Sequence, residues 1–259
     1  MLNEKIIGVK PTWSLYDLFS PGSKSALKRF WIWAGFGNEF GTACRYEMDM
    51  LLLRISCAIS IRYRMQVRRL RRQKGLKVNL GCGWVPFPGW TNLDCYPPPK
   101  LESSHCEMLV LDMRQKLPFA DASVDAIYSE HFMEHLPFDI VCKSLLPECF
   151  RILSPGGSIR MGVPNGELYI QRYQSVKAVD HSSKMANSKA LMMDINDIGH
   201  SGGHFYLYDY EILEKIFNDA GFRALHKCKS LQTHAHCFDQ MDQDDAWRVE
   251  NTVFIEGQK

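Results

Sequence analysis

Lys77-Val78-Asn79-Leu80-Gly81-Cys82-Gly83 is the stretch from which the fold is read. Four residues of buried-strand character run into a turn with two glycines, where the chain can take positive φ and a ligand can approach the backbone. An ordinary tight turn has the same pattern, so the neighbouring segments decide between the two. Thr91-Asn92-Leu93-Asp94, Met108-Leu109-Val110-Leu111-Asp112 and Val124-Asp125-Ala126-Ile127-Tyr128 also read as short buried strands. Strand ends carrying Gly, Asp and Asp would lie along one edge of a parallel sheet, where such sheets bind ligands. Asp94, eleven residues past Gly83, is placed to accept hydrogen bonds from both hydroxyls of a ribose.

Downstream, helices alternate with strands. Phe138 to Leu153 has helical spacing and stops at Ser154-Pro155-Gly156-Gly157, and Ser158 to Val163 is a strand ended by Pro164. Residues 165–203 read as polar and irregular, a lid or insertion. Tyr208 to Ala220 is predicted as a helix with Asp209 as N-cap and Gly221 as its stop, followed by strands at Phe222 to Cys228 and Asn251 to Glu256. Alternating elements imply an α/β fold built on a mainly parallel sheet.

Upstream, residues 1–43 are rich in aromatics and read as short helices and loops. From about Arg45 to Arg72 apolar residues (Met48, Leu52, Ile55, Ile59, Tyr63, Val67, Leu70) recur every three or four positions, with Arg54, Arg62, Arg68, Arg69 and Arg72 on the other face. The chain of 259 residues carries a net charge of +2, but residues 1–74 hold +9 and residues 75–259 hold −7. This divides the chain into a basic helical extension, 1–74, and a main domain, 75–259. The acidic main domain argues against nucleic-acid binding. No stretch approaches the ~20 apolar residues of a spanning helix. Nine cysteines without a CxxC pair suit reduced thiols and a cytoplasmic setting.

Leu117-Pro118-Phe119-Ala120-Asp121-Ala122-Ser123-Val124-Asp125, Glu130-His131-Phe132-Met133-Glu134-His135 and Arg151-Ile152-Leu153-Ser154-Pro155-Gly156-Gly157, set behind the glycine turn, resemble the class I S-adenosylmethionine-dependent methyltransferases. The resemblance covers about residues 76–257 and looks closest to a small-molecule branch associated with bacterial polysaccharide synthesis. It implies a Rossmann-like, seven-stranded sheet flanked by helices, with S-adenosylmethionine as cofactor. By the same resemblance the turn Asn79, Gly81, Cys82 and Gly83 would line the methionine part of the cofactor, Asp94 its ribose, and Asp112 with Met113 its adenine. Ser129 and Glu130 would sit beneath the sulfonium.

One feature departs from the family. Only ten residues, including Pro86, Pro88 and Gly89, separate Leu80 from Thr91, too few for the usual helical crossover. A loop is expected in its place, leaving part of one sheet face bare for the apolar stripe of helix 45–72 to cover. The alternative is that this stripe lies on an anionic membrane surface as a peripheral contact.

For the chemistry, His131 is the first candidate for a general base, followed by Glu130 and His135. His131 to His135 also satisfies H-x-x-E-H, a zinc-protease pattern, but its place at a strand end before Pro137 argues against a metal, and none is expected. His200 and His204, around Gly202-Gly203, with Tyr206 and Tyr208 are candidates for holding a small-molecule acceptor, such as a hydroxyl of a sugar or glycolipid precursor. The competing readings are a non-catalytic cofactor-binding or scaffold protein with the same fold, and a zinc hydrolase using His131 and His135.

Overall fold

A computed structural model describes residues 38–96, 106–179 and 188–259; the aromatic-rich segment 1–37 lies outside them. The chain divides into two compact units, Met1–Ser60 and Ile61–Lys259. The single helix expected over 45–72 is two helices, α1 (Asn38–Ile59) and α2 (Ile61–Leu70). Leu52, Ile55 and Ile59 are exposed on α1. Among the described residues no helix is long and apolar enough to cross a membrane.

The second unit is built on seven strands: β1 (Leu76–Leu80), β2 (Thr91–Asp94), β3 (Glu107–Val110), β4 (Val124–Glu130), β5 (Leu153–Pro164), β6 (Arg223–Cys228) and β7 (Thr252–Gln258). Their order is β3-β2-β1-β4-β5-β7-β6. The first five pair in parallel, whereas β7 runs antiparallel to both β5 and β6. The sheet is therefore mixed. The chain moves outward from β1 to β3 and then crosses to β4, which opens a crevice at the carboxyl ends of β1 and β4.

Period-2 alternation gives each strand two faces. Val78, Leu80, Leu93, Ile127, Ile159, Met161 and Ile255 point to one face and form the main core with α3 (Phe138–Ile140), α4 (Leu146–Ile152) and α7 (Tyr210–Ala220). Between α3 and α4 the chain makes a π-helical turn at Val141–Leu145, where Pro147 has no N–H for the regular helical bond. Asp209 caps α7 through the Ile212 N–H, and Gly221 ends it, as expected. Leu70 of α2 is wholly buried in this same core, Tyr63 packs against it, and Gln66 donates to the Met108 carbonyl at 3.0 Å.

The other face is the one left bare by the missing crossover helix. A loop does replace that helix, but the loop itself covers the face: Phe87 and Trp90 pack with Tyr128, Phe238 and Phe254. The expectation that helix 45–72 would cover this face is corrected for its α2 portion. Its α2 portion packs on the opposite face, because the two bulky aromatics of the loop already fill the space.

Asn92, fully buried on β2, ties the loop down. Its side-chain oxygen accepts from the Phe87 N–H (2.7 Å) and Asn79 Nδ2 (3.1 Å), while its amide donates to the carbonyls of Phe87, Trp90 and Glu107. Asn92→Ala strands several buried partners, each worth about 1 kcal/mol or more, so we expect a loss of about 2–3 kcal/mol in urea unfolding. A loss below ~1 kcal/mol would show that this clamp does not hold the loop.

Segment 165–203 is helical over most of its described residues. It contains α5 (Gly166–Val179) and α6 (Ser188–His200), and a short helix α8 (Ala246–Asn251) precedes β7.

Candidate active site

At the end of β1, Gly81 has φ +65°, and a Cβ there would stand 2.4 Å from Phe132 Cγ. Only glycine allows Phe132 so close. Gly83 follows with φ +51° and open space where its side chain would be. Its N–H donates to Asp94 Oδ2 at 2.8 Å, and the other Asp94 oxygen accepts from the Tyr96 N–H. Asp94 thereby holds the glycine turn in shape. Cys82 is buried; burial first, and then the charge of Asp94, push its thiol up to about 12. It stays protonated at neutral pH and is no nucleophile.

Gly81, Cys82 and Gly83 line a cleft of about 190 Å³, with Trp84, Tyr128, Glu130, His131, Gln243 and Arg248 completing much of its wall, while Asp94 stands behind the turn and outside this lining. Asn79 also lines it, although its amide is spent on the Val85 carbonyl and Asn92. At Gly83, where a Cβ would meet open space, the bare backbone fits a ligand that lies close against it, whereas the space beside Gly81 is taken by Phe132. Ser129 sits just beneath, its hydroxyl donating to the Leu80 carbonyl at 3.0 Å. Asp112 and Met113 are buried outside this lining: Asp112 pairs with Arg114 Nε at 3.0 Å, and Met113 joins the main core.

Of the three proposed acid–base residues, Glu130 and His131 line this cleft together and His135 does not. Glu130 is buried and fully engaged, accepting from Tyr128 Oη (2.8 Å), the Gln243 N–H and Arg248 (3.2 Å). His131 stands at φ +52°, a conformation that costs a non-glycine residue and is commonest at functional sites. Its Nε2 lies 2.8 Å from Thr252 Oγ1, its Nδ1 is 3.1 Å from Glu134 Oε1, and its ring packs on Trp247. With Nδ1 facing a carboxylate, the proton belongs there, and Nε2 is left as the acceptor. His135 turns elsewhere, against His204, with ring centroids 4.7 Å apart. Burial holds its imidazole below the ordinary value. Met133–His135 is a single 3₁₀ turn, so His131 and His135 share no helix face as H-x-x-E-H metal binding requires.

A second, larger cleft of about 610 Å³ lies beside the first. It is lined by Tyr169 and Arg172 of α5, Asp194, Asp197 and Ile198 of α6, Gly202, His204, and Trp247, Glu250 and Asn251. Of the residues expected to hold an acceptor, His204 is in this lining. His200 is exposed at the end of α6, Tyr206 stacks on Phe138 at 4.4 Å, and Tyr208 is buried in the core. Sequence reasoning missed Tyr169, Arg172, Asp194 and Asp197, whose i, i+3 spacing on α5 and α6 was the available signal. It also missed Gln243, Trp247 and Arg248, which only tertiary contact brings to Glu130 and His131.

A protein-family profile described as "Methyltransferase domain" matches residues 94–161, from the end of β2 into β5. No curated protein matches the chain in sequence. Among solved structures, the chain is similar to a SAM-dependent methyltransferase from Archaeoglobus fulgidus, with 15% identity and a TM-score of 0.46 over 76% of this chain and 91% of that one. It is similar to a putative methyltransferase of Haloferax volcanii, solved with the Trm112 methyltransferase activator, at 19% identity and TM-score 0.44 over 75% and 87%. It is also similar to phosphoethanolamine N-methyltransferase 2 of Haemonchus contortus, solved with S-adenosyl-L-methionine, at 14% identity and TM-score 0.41 over 75% and 52%. From Asp94 to Met161, then, the chain matches a methyltransferase domain.

Proposed function

We propose that the enzyme methylates a hydroxyl of a small-molecule acceptor, a sugar or glycolipid precursor, with the cofactor in the glycine-turn cleft and the acceptor in the larger one. The observation that carries this reading is the position of His131 and Trp247. His131 lines the first cleft, Trp247 lines the second, and their rings are 5.6 Å apart. Trp247 and Tyr169 offer flat apolar surfaces, while Asp194, Asp197 and Arg172 supply hydrogen-bonding groups. That combination suits a polyhydroxylated ring.

Gly81, Gly83 and Asp94 would hold the cofactor, which when bound supplies a methyl carbon already made electrophilic by its sulfonium. The chain's own contribution is alignment, which can be worth several kcal/mol, and a place for the acceptor's proton. His131 Nε2 takes that proton once the Thr252 hydroxyl yields its place. Glu134 behind Nδ1 keeps the ring in the correct tautomer. Glu130 acts through Arg248 and Gln243, fixing α8 and with it Trp247. It is a positioning residue in this scheme.

His131→Gln is expected to lower methyl transfer to a hydroxyl acceptor about a hundredfold, the lower range for a general base, while calorimetric binding of S-adenosylmethionine stays within threefold or so. A turnover unchanged by this substitution, measured on a panel of sugars and lipid-linked sugars, would remove His131 from the reaction.

A further inference from the structure

Three metal-ligating side chains meet away from the glycine turn. Glu134 and His135 come from the 3₁₀ turn after β4, and His204 follows the Ser201–Gly203 turn. One ligand atom from each lies within 4.8 Å of the others. The Phe205 N–H donates to the Glu134 carbonyl at 2.7 Å, which pins the two segments together.

Glu134 is the unexplained group. Its side chain is 1% exposed, yet neither carboxylate oxygen has a hydrogen-bond partner among the described residues. His131 Nδ1 stands 3.1 Å from Oε1 and accounts electrostatically for that oxygen, whereas Oε2 has no partner among the described residues. A buried carboxylate in that state is costly, and a cation is the simplest group that satisfies it. The two histidines are prepared in the way metal-binding imidazoles are. His204 Nδ1 lies 2.7 Å from the Ile198 carbonyl, so it must donate there, leaving Nε2 as a lone pair. His135 stands edge-on to His204, with ring centroids 4.7 Å apart, which brings its imidazole to the same cluster.

We propose that Glu134, His135 and His204 bind a divalent transition-metal ion, with zinc the best match. Two imidazoles and one carboxylate form a borderline N,N,O set that suits zinc and not calcium or magnesium, and three protein ligands leave one coordination position open. Tetrahedral ligands at zinc distances stand about 3.4 Å apart, and the three ligand atoms here lie within 4.8 Å of one another. This set differs from the H-x-x-E-H pairing, because His131 is engaged with Thr252 and His135 finds its partner across the fold. His204 also lines the larger cleft. That the ion borders a bound acceptor rests on the function proposed above, whereas metal uptake is read without turnover, so either statement can fail alone.

The test is calorimetric titration of Zn²⁺ into the full chain after chelator treatment. One equivalent is expected to bind, with affinity falling at least tenfold in His135→Ala and in His204→Ala and unchanged in His200→Ala. No stoichiometric uptake by the wild type, or uptake that survives the first two substitutions, overturns the site. Because an alanine variant could fail to fold, Co²⁺ loading of the wild type provides a second reading. Visible absorption of a four-coordinate N,O-ligated ion is expected, and its absence counts against the proposal.

Discussion

Arg160→Ala is expected to cost about 3–5 kcal/mol of stability, the range for breaking a buried ion pair from one side. At roughly 2–4 °C per kcal/mol for a domain of this size, the melting temperature should fall by about 10 °C. Arg160 is completely buried on β5, on the face covered by the loop aromatics. Its Nε donates to Asp242 at 2.9 Å, its other nitrogens reach Asp242 and Glu256, and its guanidinium lies 4.0 Å over the Phe254 ring. The same carboxylates hold backbone: Asp242 accepts from Leu231, and Glu256 from His234 and Ala235. Removing the cation leaves two buried anions facing one another and loosens the segment leading to Gln243 and α8. Arg160→Lys keeps the charge but not the fork that spans both acids, so it should recover only part of the loss. A melting temperature within 2 °C of wild type for the alanine variant would show that the cluster contributes little.

Gly81→Val should abolish measurable cofactor binding. A left-handed φ costs a side-chain-bearing residue about 1–2 kcal/mol, and overpacking against a neighbour typically costs a further 1–3 kcal/mol. Together these approach ~4 kcal/mol, roughly a thousandfold in affinity. If the turn relaxes to escape Phe132, the cost falls on binding. If it holds, the cost falls on stability, so calorimetry with S-adenosylmethionine is paired with thermal melting. Gly83→Ala, whose Cβ meets open space, carries only the backbone cost and should lose about tenfold. Asp94→Ala, which frees the Gly83 N–H, should weaken binding as well. Wild-type affinity and wild-type melting together in Gly81→Val would mean that the cofactor lies elsewhere.

Much of the scaffold was legible because local rules carry it. Short apolar runs ended by Gly, Asp or Pro located the strands, since a buried strand needs little more than that pattern. Pro86 and Pro88 within ten residues excluded a helix between β1 and β2. Asp209 and Gly221 announced the ends of α7 by their capping chemistry. The local rules failed on α5 and α6, where polar residues and glycine mask a helical period, and on the break at Ser60.

The site divides in the same way. Gly81, Gly83 and Asp94 stand within fourteen positions, so the turn that Asp94 holds is visible in order along the chain. The partners of Glu130, Gln243 and Arg248, are 113 and 118 residues away and leave no trace in its local sequence. His135 turned from His131 toward His204 for a similar reason. The sequence by itself determined the strand order's raw material, the glycine turn and the loss of one crossover helix, all of which follow from short-range sterics and burial periodicity. Only the tertiary structure decided which face the loop aromatics fill, which carboxylates Arg160 neutralises and which histidines share Glu134. Those are pairings between distant segments, set by the need of buried polar groups to find partners, and no local pattern encodes them.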